Sequence, residues 1–221
     1  MGEIHFSRCP RQEWRNELLK MKAGGIDIAA TYVFWIHHEQ QQGNFDWTGQ
    51  RSLRDFLLLC RELNLPAIVR LGPWCHGEVR NGGFPEWVQH AEFWAAQKGI
   101  KKRSAHPEFM KLVAPYYRQI AAQLKGLLWK DGGPVIGVQL DNECGDLGYL
   151  MALKALACEN GIDVPFYTMT GWNRVAIPKE GLLPLFGAYA DGFWSSNKQS
   201  FRKAFFFTPI RDDGDMGAID G

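Results

Sequence analysis

The chain has 221 residues, with 25 Lys plus Arg against 24 Asp plus Glu and a formal net charge of +1. That balance argues against a nucleic-acid surface built on basic excess and against an acidic tail. Hydrophobic residues make up 46% and charged residues 22%, enough to bury a core and too apolar for disorder. In chain order, Gly2 to Ser7 reads as a short strand. Trp14, Leu18 and Met21 fall on one helical face, which Gly24-Gly25 ends. Ile26 to Ile36, rich in β-branched and aromatic residues, predicts a second strand. Leu53, Phe56, Leu57 and Cys60 predict a helix that ends near Asn64-Leu65-Pro66. Ala67 to Leu71 is a third strand, followed by a Gly/Pro-punctuated loop from Gly72 to Pro85. Pro107 opens a long helix with Phe109, Leu112, Val113, Tyr116, Ile120 and Leu124 facing inward. Asp131-Gly132-Gly133 is a turn, and Pro134 to Leu140 a fourth strand. A helix beginning at Leu147, Leu150, Met151 and Leu153 closes at Asn160-Gly161. Val164 to Met169 and Leu183 to Tyr189 predict strands five and six, and Ser195 or Ser196 caps a last helix. Arg211 to Gly221 has no hydrophobic period and reads as a loop or frayed end.

The five cysteines (Cys9, Cys60, Cys75, Cys144, Cys158) show no CxxC pair and no legible disulfide or zinc framework. No run is long and apolar enough to span a bilayer, so no membrane partner is expected. Nine Trp and fourteen Phe form an aromatic surplus that serves first as core. Trp14 belongs there, while Trp74 and Trp194 stand at predicted strand ends and are expected to line a cleft.

Repeated β-then-α units point to a parallel sheet with helical crossovers. There is no GxGxxG after the first strand and no GxxxxGK[ST], which disfavours Rossmann and P-loop enzymes. Polar and aromatic residues cluster instead just past the strand ends. They are His37-His38-Glu39, Trp74 to Glu78, Asp141-Asn142-Glu143, Trp172-Asn173, and Asp191 with Trp194. A (β/α)8 barrel builds its active site from such positions.

The apolar strand Val135 to Val138 delivers carboxyl groups to that rim. A carboxyl held in partly apolar surroundings has a raised pKa and donates a proton near neutrality. With a neighbouring amide to hold a hydroxyl, this suits glycoside hydrolysis. A strand-end salt bridge or a helix N-terminal charge explains the same residues equally well. Glu78 either binds sugar hydroxyls or pairs with Arg70 or Arg80. His37-His38-Glu39 with His76 admits a metal reading, but alternate strand residues face opposite sides and three convergent ligands are not secured. A GxSxG elbow is missing.

Several segments occur together in order: Gly2-Glu3-Ile4-His5-Phe6, Thr31 to Trp35 with His38-Glu39, and Gly43-Asn44-Phe45-Asp46. Arg70 to Trp74, Glu78, Gly82 to Trp87, Gly132 to Ile136 and Gln139 to Glu143 follow. Together they resemble glycoside hydrolase family 35, the β-galactosidases, from the first residues to about Trp172. The resemblance implies an incomplete (β/α)8 barrel with about six of eight strands, residues 1–221 forming a single catalytic-barrel fragment. It implies a retaining hydrolase that cleaves terminal non-reducing β-D-galactosides by double displacement, without metal or organic cofactor. Glu143 would be the acid/base and Asn142 its neighbour on the sugar. Tyr32 and Glu78 would bind galactose hydroxyls, helped by His76 and Gly77.

The sequence departs from the family pattern at Ile36, at Cys75-His76-Gly77, at Val79-Arg80-Asn81 and at Thr170, all around the sugar pocket. Sugar and linkage therefore stay open. The nucleophilic Glu at the end of strand seven has no counterpart, and a retaining pair needs its carboxyl groups about 5 Å apart. The nucleophile is expected beyond Gly221, with the rest of the barrel and accessory β domains, and this chain alone is expected to be inactive. The compartment is open: no signal peptide is legible at Met1, and a parent protein with an upstream start would be secreted or periplasmic. The competing readings are a related exo-glycosidase such as a β-glucosaminidase, a non-catalytic carbohydrate-binding protein, and a metal-dependent barrel hydrolase using His37, Glu39, His76 and Glu78.

Overall fold

A computed structural model describes residues 1–90, 94, 99–169 and 181–185. Six strands pair in parallel in sequential order: β1 (Gly2–Glu3), β2 (Ala29–Tyr32), β3 (Ala67–Gly72), β4 (Val135–Leu140), β5 (Phe166–Met169) and β6 (Leu183–Leu185). Among the described residues the α-helical elements are α1 (Trp14–Ala23), α2 (Trp35–His38), α3 (Leu53–Glu62), α4 (Glu86–Gln89), α5 (Pro107–Leu124) and α6 (Leu147–Glu159). Sequential parallel strands joined by helices form the (β/α)8 barrel architecture, and six of its strands lie among the described residues. The predicted strand from Leu183 is placed only as far as Leu185, and the predicted helix from Ser195 and the tail from Arg211 lie outside the described residues.

Local chemistry explains the helix starts. The Ser52 hydroxyl accepts the Asp55 backbone N–H at 3.2 Å, and Asp146 Oδ1 does the same for Tyr149 at 3.0 Å. Pro107 sits in the first turn of α5, where its missing N–H costs nothing. On α3, Leu53, Phe56, Leu57 and Cys60 are all buried, as their spacing predicts. On α5 the buried set includes Tyr117, while Leu112 is only half-buried. The main core lies between these helices and the strand face carrying Ala67, Val69, Leu71, Val138 and Leu140. Alternation along β3 and β4 then turns Arg70 and Gln139 to the opposite face, toward the barrel interior.

The first two predicted strands are much shorter in the structure, and the fifth begins at Phe166 rather than Val164. The first stops at Glu3, and Phe6–Arg8 form a 3-10 turn whose Phe6 carbonyl, with that of Cys9 just after it, accepts from a core residue. Trp14 Nε1 donates to Phe6 O at 3.1 Å and to Cys9 O at 3.0 Å. The second strand stops at Tyr32, and the chain coils into α2. There Trp35 stacks on Tyr116 at 4.8 Å and donates Nε1–H to Glu39 Oε2 at 2.5 Å. Burial of that indole outweighs the strand preference of the run.

Candidate active site

A cleft of about 700 Å³ opens at the carboxyl ends of the first four strands. Its floor is a row set by strand register, in which Tyr32 pairs with Arg70, Arg70 with Gln139, and Gln139 with Tyr167. Arg70 is 9% exposed and ties the row together. Its Nε donates to Gln139 Oε1 at 2.5 Å and its Nη2 to Asn142 Oδ1 at 2.9 Å. It also donates to the Tyr32 hydroxyl and forms an ion pair with Glu3. Burial of the charge is tolerable because the guanidinium donors are filled. Burial also raises the Tyr32 hydroxyl pKa above its ordinary value and pushes that of Tyr167 up to about 12.

Immediately past β4, Asp141, Asn142 and Glu143 form a tight turn. Asp141 is fully buried. Its Oδ1 accepts from Arg103 Nη2 at 2.5 Å and from the Asn142 backbone N–H at 2.8 Å, and its Oδ2 from the Tyr149 hydroxyl at 3.1 Å. Burial raises its pKa, opposed by the Arg103 guanidinium. Asn142 Oδ1 accepts from both Arg70 and Gln139, the latter at 2.8 Å, so its amide NH2 points the other way, to His76 Nδ1 at 3.0 Å. Asp141 and Glu143 both adopt left-handed backbone angles, φ 47° and 49°. Such angles in residues with side chains cost roughly 1 kcal/mol or more each and persist where surrounding contacts over-determine them. Glu143 projects into the cleft with 18% of its side chain exposed, its Oε1 3.5 Å from His76 Nδ1.

The facing wall is the loop after β3. Trp74, His76, Gly77, Glu78 and Gly82 all line the cleft. Gly82 has φ 61°, and a Cβ there would meet the Trp74 ring at 2.1 Å, so the backbone lies flat on the indole. The Arg103 guanidinium lies 4.8 Å from the Trp74 ring centroid. Glu78 is exposed on the rim. The suggested arginine partners of Glu78 engage other carboxylates: Arg70 binds Glu3, and Arg80 Nε lies 2.8 Å from Glu86.

The structure thus brings together Tyr32, Trp74, His76, Gly77, Glu78, Asn142 and Glu143. It does not unite the metal reading's set. His37 Nδ1 bonds Ser7 Oγ at 2.8 Å, and Glu39 accepts from Trp35 and from the Gly43 N–H at 2.7 Å, both away from the cleft. Among the described residues, no three His, Cys, Asp or Glu side chains are grouped to hold a metal ion. His38 is a core residue stacked on Trp47 at 4.0 Å, and burial lowers its pKa to about 3. Trp172, Asn173, Asp191 and Trp194 lie outside the described residues. Sequence reasoning missed the roles of Arg70 and Gln139 in the floor and of Arg103 behind the turn. An arginine inside the apolar run Ala67–Leu71 was the available signal.

Fold and site together define a (β/α)8 barrel protein with a carboxyl–amide cleft at the carboxyl ends of its strands. Residues 1–205 match the family model for Glycosyl hydrolases family 35, and the chain belongs to that family. It is 36% identical over 179 residues to a β-galactosidase of Bos taurus, covering 78% of this chain and 26% of that protein. It is also 36% identical over 165 residues to human β-galactosidase-1-like protein 2, covering 73% of this chain and 25% of that one. The chain therefore spans about a quarter of these relatives' length. Among solved structures, it aligns with GH5_18 from Streptomyces cattleya in complex with GlcNAc at TM-score 0.56 and 16% identity, covering 75% of this chain and 40% of that one. An exo-β-1,4-mannosidase from an Opitutaceae bacterium aligns at TM-score 0.56 and 17% identity, covering 76% and 31%. These alignments bear on fold alone.

Proposed function

We propose that the chain is the N-terminal part of the catalytic barrel of a retaining glycosidase that removes terminal non-reducing β-D-galactosyl units. The observation that carries this reading is the end of β4. There Glu143 enters the cleft beside an Asn142 amide whose orientation is fixed by Arg70 and Gln139. Family membership and the β-galactosidase relatives support the substrate class. Glu143 protonates the glycosidic oxygen as the bond to the anomeric carbon breaks. It then takes a proton from the water that attacks the glycosyl-enzyme. The second carboxylate, which forms and releases the covalent bond, comes from outside the described residues. Asn142, Tyr32 and Glu78 hold sugar hydroxyls, and Trp74 offers an apolar face to a sugar ring. A neutral substrate also suits a chain of net charge +1, which needs no strong steering field.

The test is hydrolysis of p-nitrophenyl β-D-galactopyranoside by the full-length protein. Glu143→Gln is expected to lower kcat/KM by about 10²- to 10⁴-fold. The first-formed sugar, followed by NMR, is expected to keep the β configuration. Unchanged hydrolysis in Glu143→Gln, or an α product, overturns the reading.

A further inference from the structure

Arg8 lies outside the cleft yet reaches its wall. It closes the 3-10 turn Phe6–Arg8, which is fastened on several sides. The Phe6 carbonyl accepts from Trp14, the Ser7 carbonyl accepts from Gln50 Nε2 at 3.1 Å, and Ser7 Oγ bonds His37 Nδ1 at 2.8 Å. From that fixed base the exposed Arg8 side chain runs over the Phe34 ring, with Cζ 5.4 Å from the centroid. Its Nη1 then donates to Gly77 O at 2.5 Å, across 69 positions of chain.

The segment it reaches has an unusual backbone. Gly77 and Glu78 take successive left-handed angles, φ 94° and 51°. Glycine adopts such angles freely, whereas Glu78 carries a side chain and keeps them only while neighbouring contacts hold it there. Three contacts surround the segment. Just before Gly77, the His76 backbone N–H bonds the Tyr32 hydroxyl. The Gly77 Cα rests against rings: a Cβ there would stand 3.4 Å from His5 Nε2 and 3.7 Å from both Phe34 and Tyr32. The third contact is the charge-assisted bond from Arg8, and the carbonyl it takes belongs to the peptide unit that joins Gly77 to Glu78. Burial, with the Arg8 charge adding to it, lowers the His5 pKa to about 4, so that ring stays neutral near the guanidinium at neutral pH. Packing seats the loop as a whole, and Arg8 fixes this one peptide plane within it.

We propose that Arg8 is a positioning residue for substrate binding: it locks the Gly77–Glu78 peptide plane and so presents the Glu78 carboxylate to a sugar hydroxyl at the rim. The proposal rests on the reading of Glu78 as a sugar contact. Without the guanidinium, the rigid plane turns by changing Gly77 ψ and Glu78 φ together, and the carboxylate spreads over several positions. Substrate must then order it, which weakens binding. Glu143 is held from β4 and keeps its place, so the loss falls on KM and not on kcat.

The experiment compares the full-length wild type with Arg8→Met, which keeps packing on Phe34 but cannot donate, and with Arg8→Lys, which keeps a donor cation. With p-nitrophenyl β-D-galactopyranoside, Arg8→Met is expected to raise KM about 3- to 10-fold, the size of one lost hydrogen bond, with kcat within about twofold of wild type. Arg8→Lys should recover part of that loss. In a Glu78→Ala background, Arg8→Met should change KM by less than about twofold, because its effect passes through the missing carboxylate. Amide hydrogen exchange needs no turnover and should be faster across residues 75–82 in Arg8→Met. Arg8 is exposed, so the variants are expected to fold like the wild type, which denaturation midpoints check. An unchanged KM, equal losses in kcat and KM, Arg8→Lys no better than Arg8→Met, or a full effect kept in Glu78→Ala each overturn the proposal. If the wild type does not hydrolyse the galactoside, the functional reading fails and exchange alone decides: faster exchange keeps Arg8 as the clasp of this loop, and unchanged exchange removes it. If hydrolysis depends on Glu143 while Arg8→Met matches wild type in KM and in exchange, the functional reading stands and the clasp fails.

Discussion

Across the cleft, the end of β4 is built on buried charge, with Asp141 fully buried against Arg103 and the Tyr149 hydroxyl. The loop after β3 is built on backbone and glycine, with Gly82 lying on the Trp74 ring and the ion pair of Arg80 with Glu86 facing solvent. The β4 turn carries the proposed proton donor, a role that requires close placement against a reacting oxygen, and it is over-determined by hydrogen bonds. The β3 loop carries rim groups that meet a ligand from outside, and it is shaped by steric fit. Position is thus enforced electrostatically where chemistry is proposed and sterically where contact is proposed.

The largest stability effect expected from this contrast follows from removing the cation behind the turn. Arg103→Ala leaves Asp141 buried without its partner, which costs about 3–5 kcal/mol when one member of a buried pair is deleted. It also frees the Asn142 carbonyl, which Arg103 Nη2 holds at 2.7 Å. Chemical denaturation should show the loss, and kcat should fall with it. A change below about 1 kcal/mol would mean that the turn does not depend on this pair. A smaller effect is expected on the other wall. Gly82→Ala forces a Cβ into the Trp74 ring at a left-handed backbone angle, with an expected cost of about 1–3 kcal/mol. Because Glu143 is held from β4, this variant should raise KM for a galactoside more than it lowers kcat. Equal losses in both would show that the two walls are coupled.

How much of this was legible in the sequence follows from the same division. Helix α3 was readable because Leu53, Phe56, Leu57 and Cys60 repeat at helical spacing and all four are buried. Strands β3 and β4 were readable from apolar runs bounded by Gly and Pro, and the strand-end residues Tyr32, Trp74, Glu78, Asn142 and Glu143 followed from the barrel rule and the family resemblance. The run Ile26–Ile36 misled because Thr31 to Trp35 suits a strand, while stacking of Trp35 on Tyr116 decides the conformation across 81 positions of chain. The floor was legible only as an oddity. Arg70 is a charge in an apolar strand, but its bonds to Tyr32, Gln139 and Asn142 depend on register between strands, which no local pattern encodes. Arg103 gave no signal, since it sits in the run Lys101-Lys102-Arg103 and its two neighbours look the same on the page.

The smallest effect separates exposure from ion pairing itself. Arg80 and Glu86 lie 2.8 Å apart, close to the 2.5 Å of Arg103 and Asp141, yet their side chains are 76% and 48% exposed against 26% and 0%. Water already solvates the exposed pair, so its attraction is screened and ordering two side chains offsets most of what remains. Arg80→Ala should therefore change stability by less than about 0.5 kcal/mol, and added salt should shrink even that. Denaturation of Arg80→Ala and Arg103→Ala side by side measures the two pairs on one scale. If Arg80→Ala cost as much as Arg103→Ala, burial would not be what gives the β4 turn its stiffness, and the steric wall would also depend on charge.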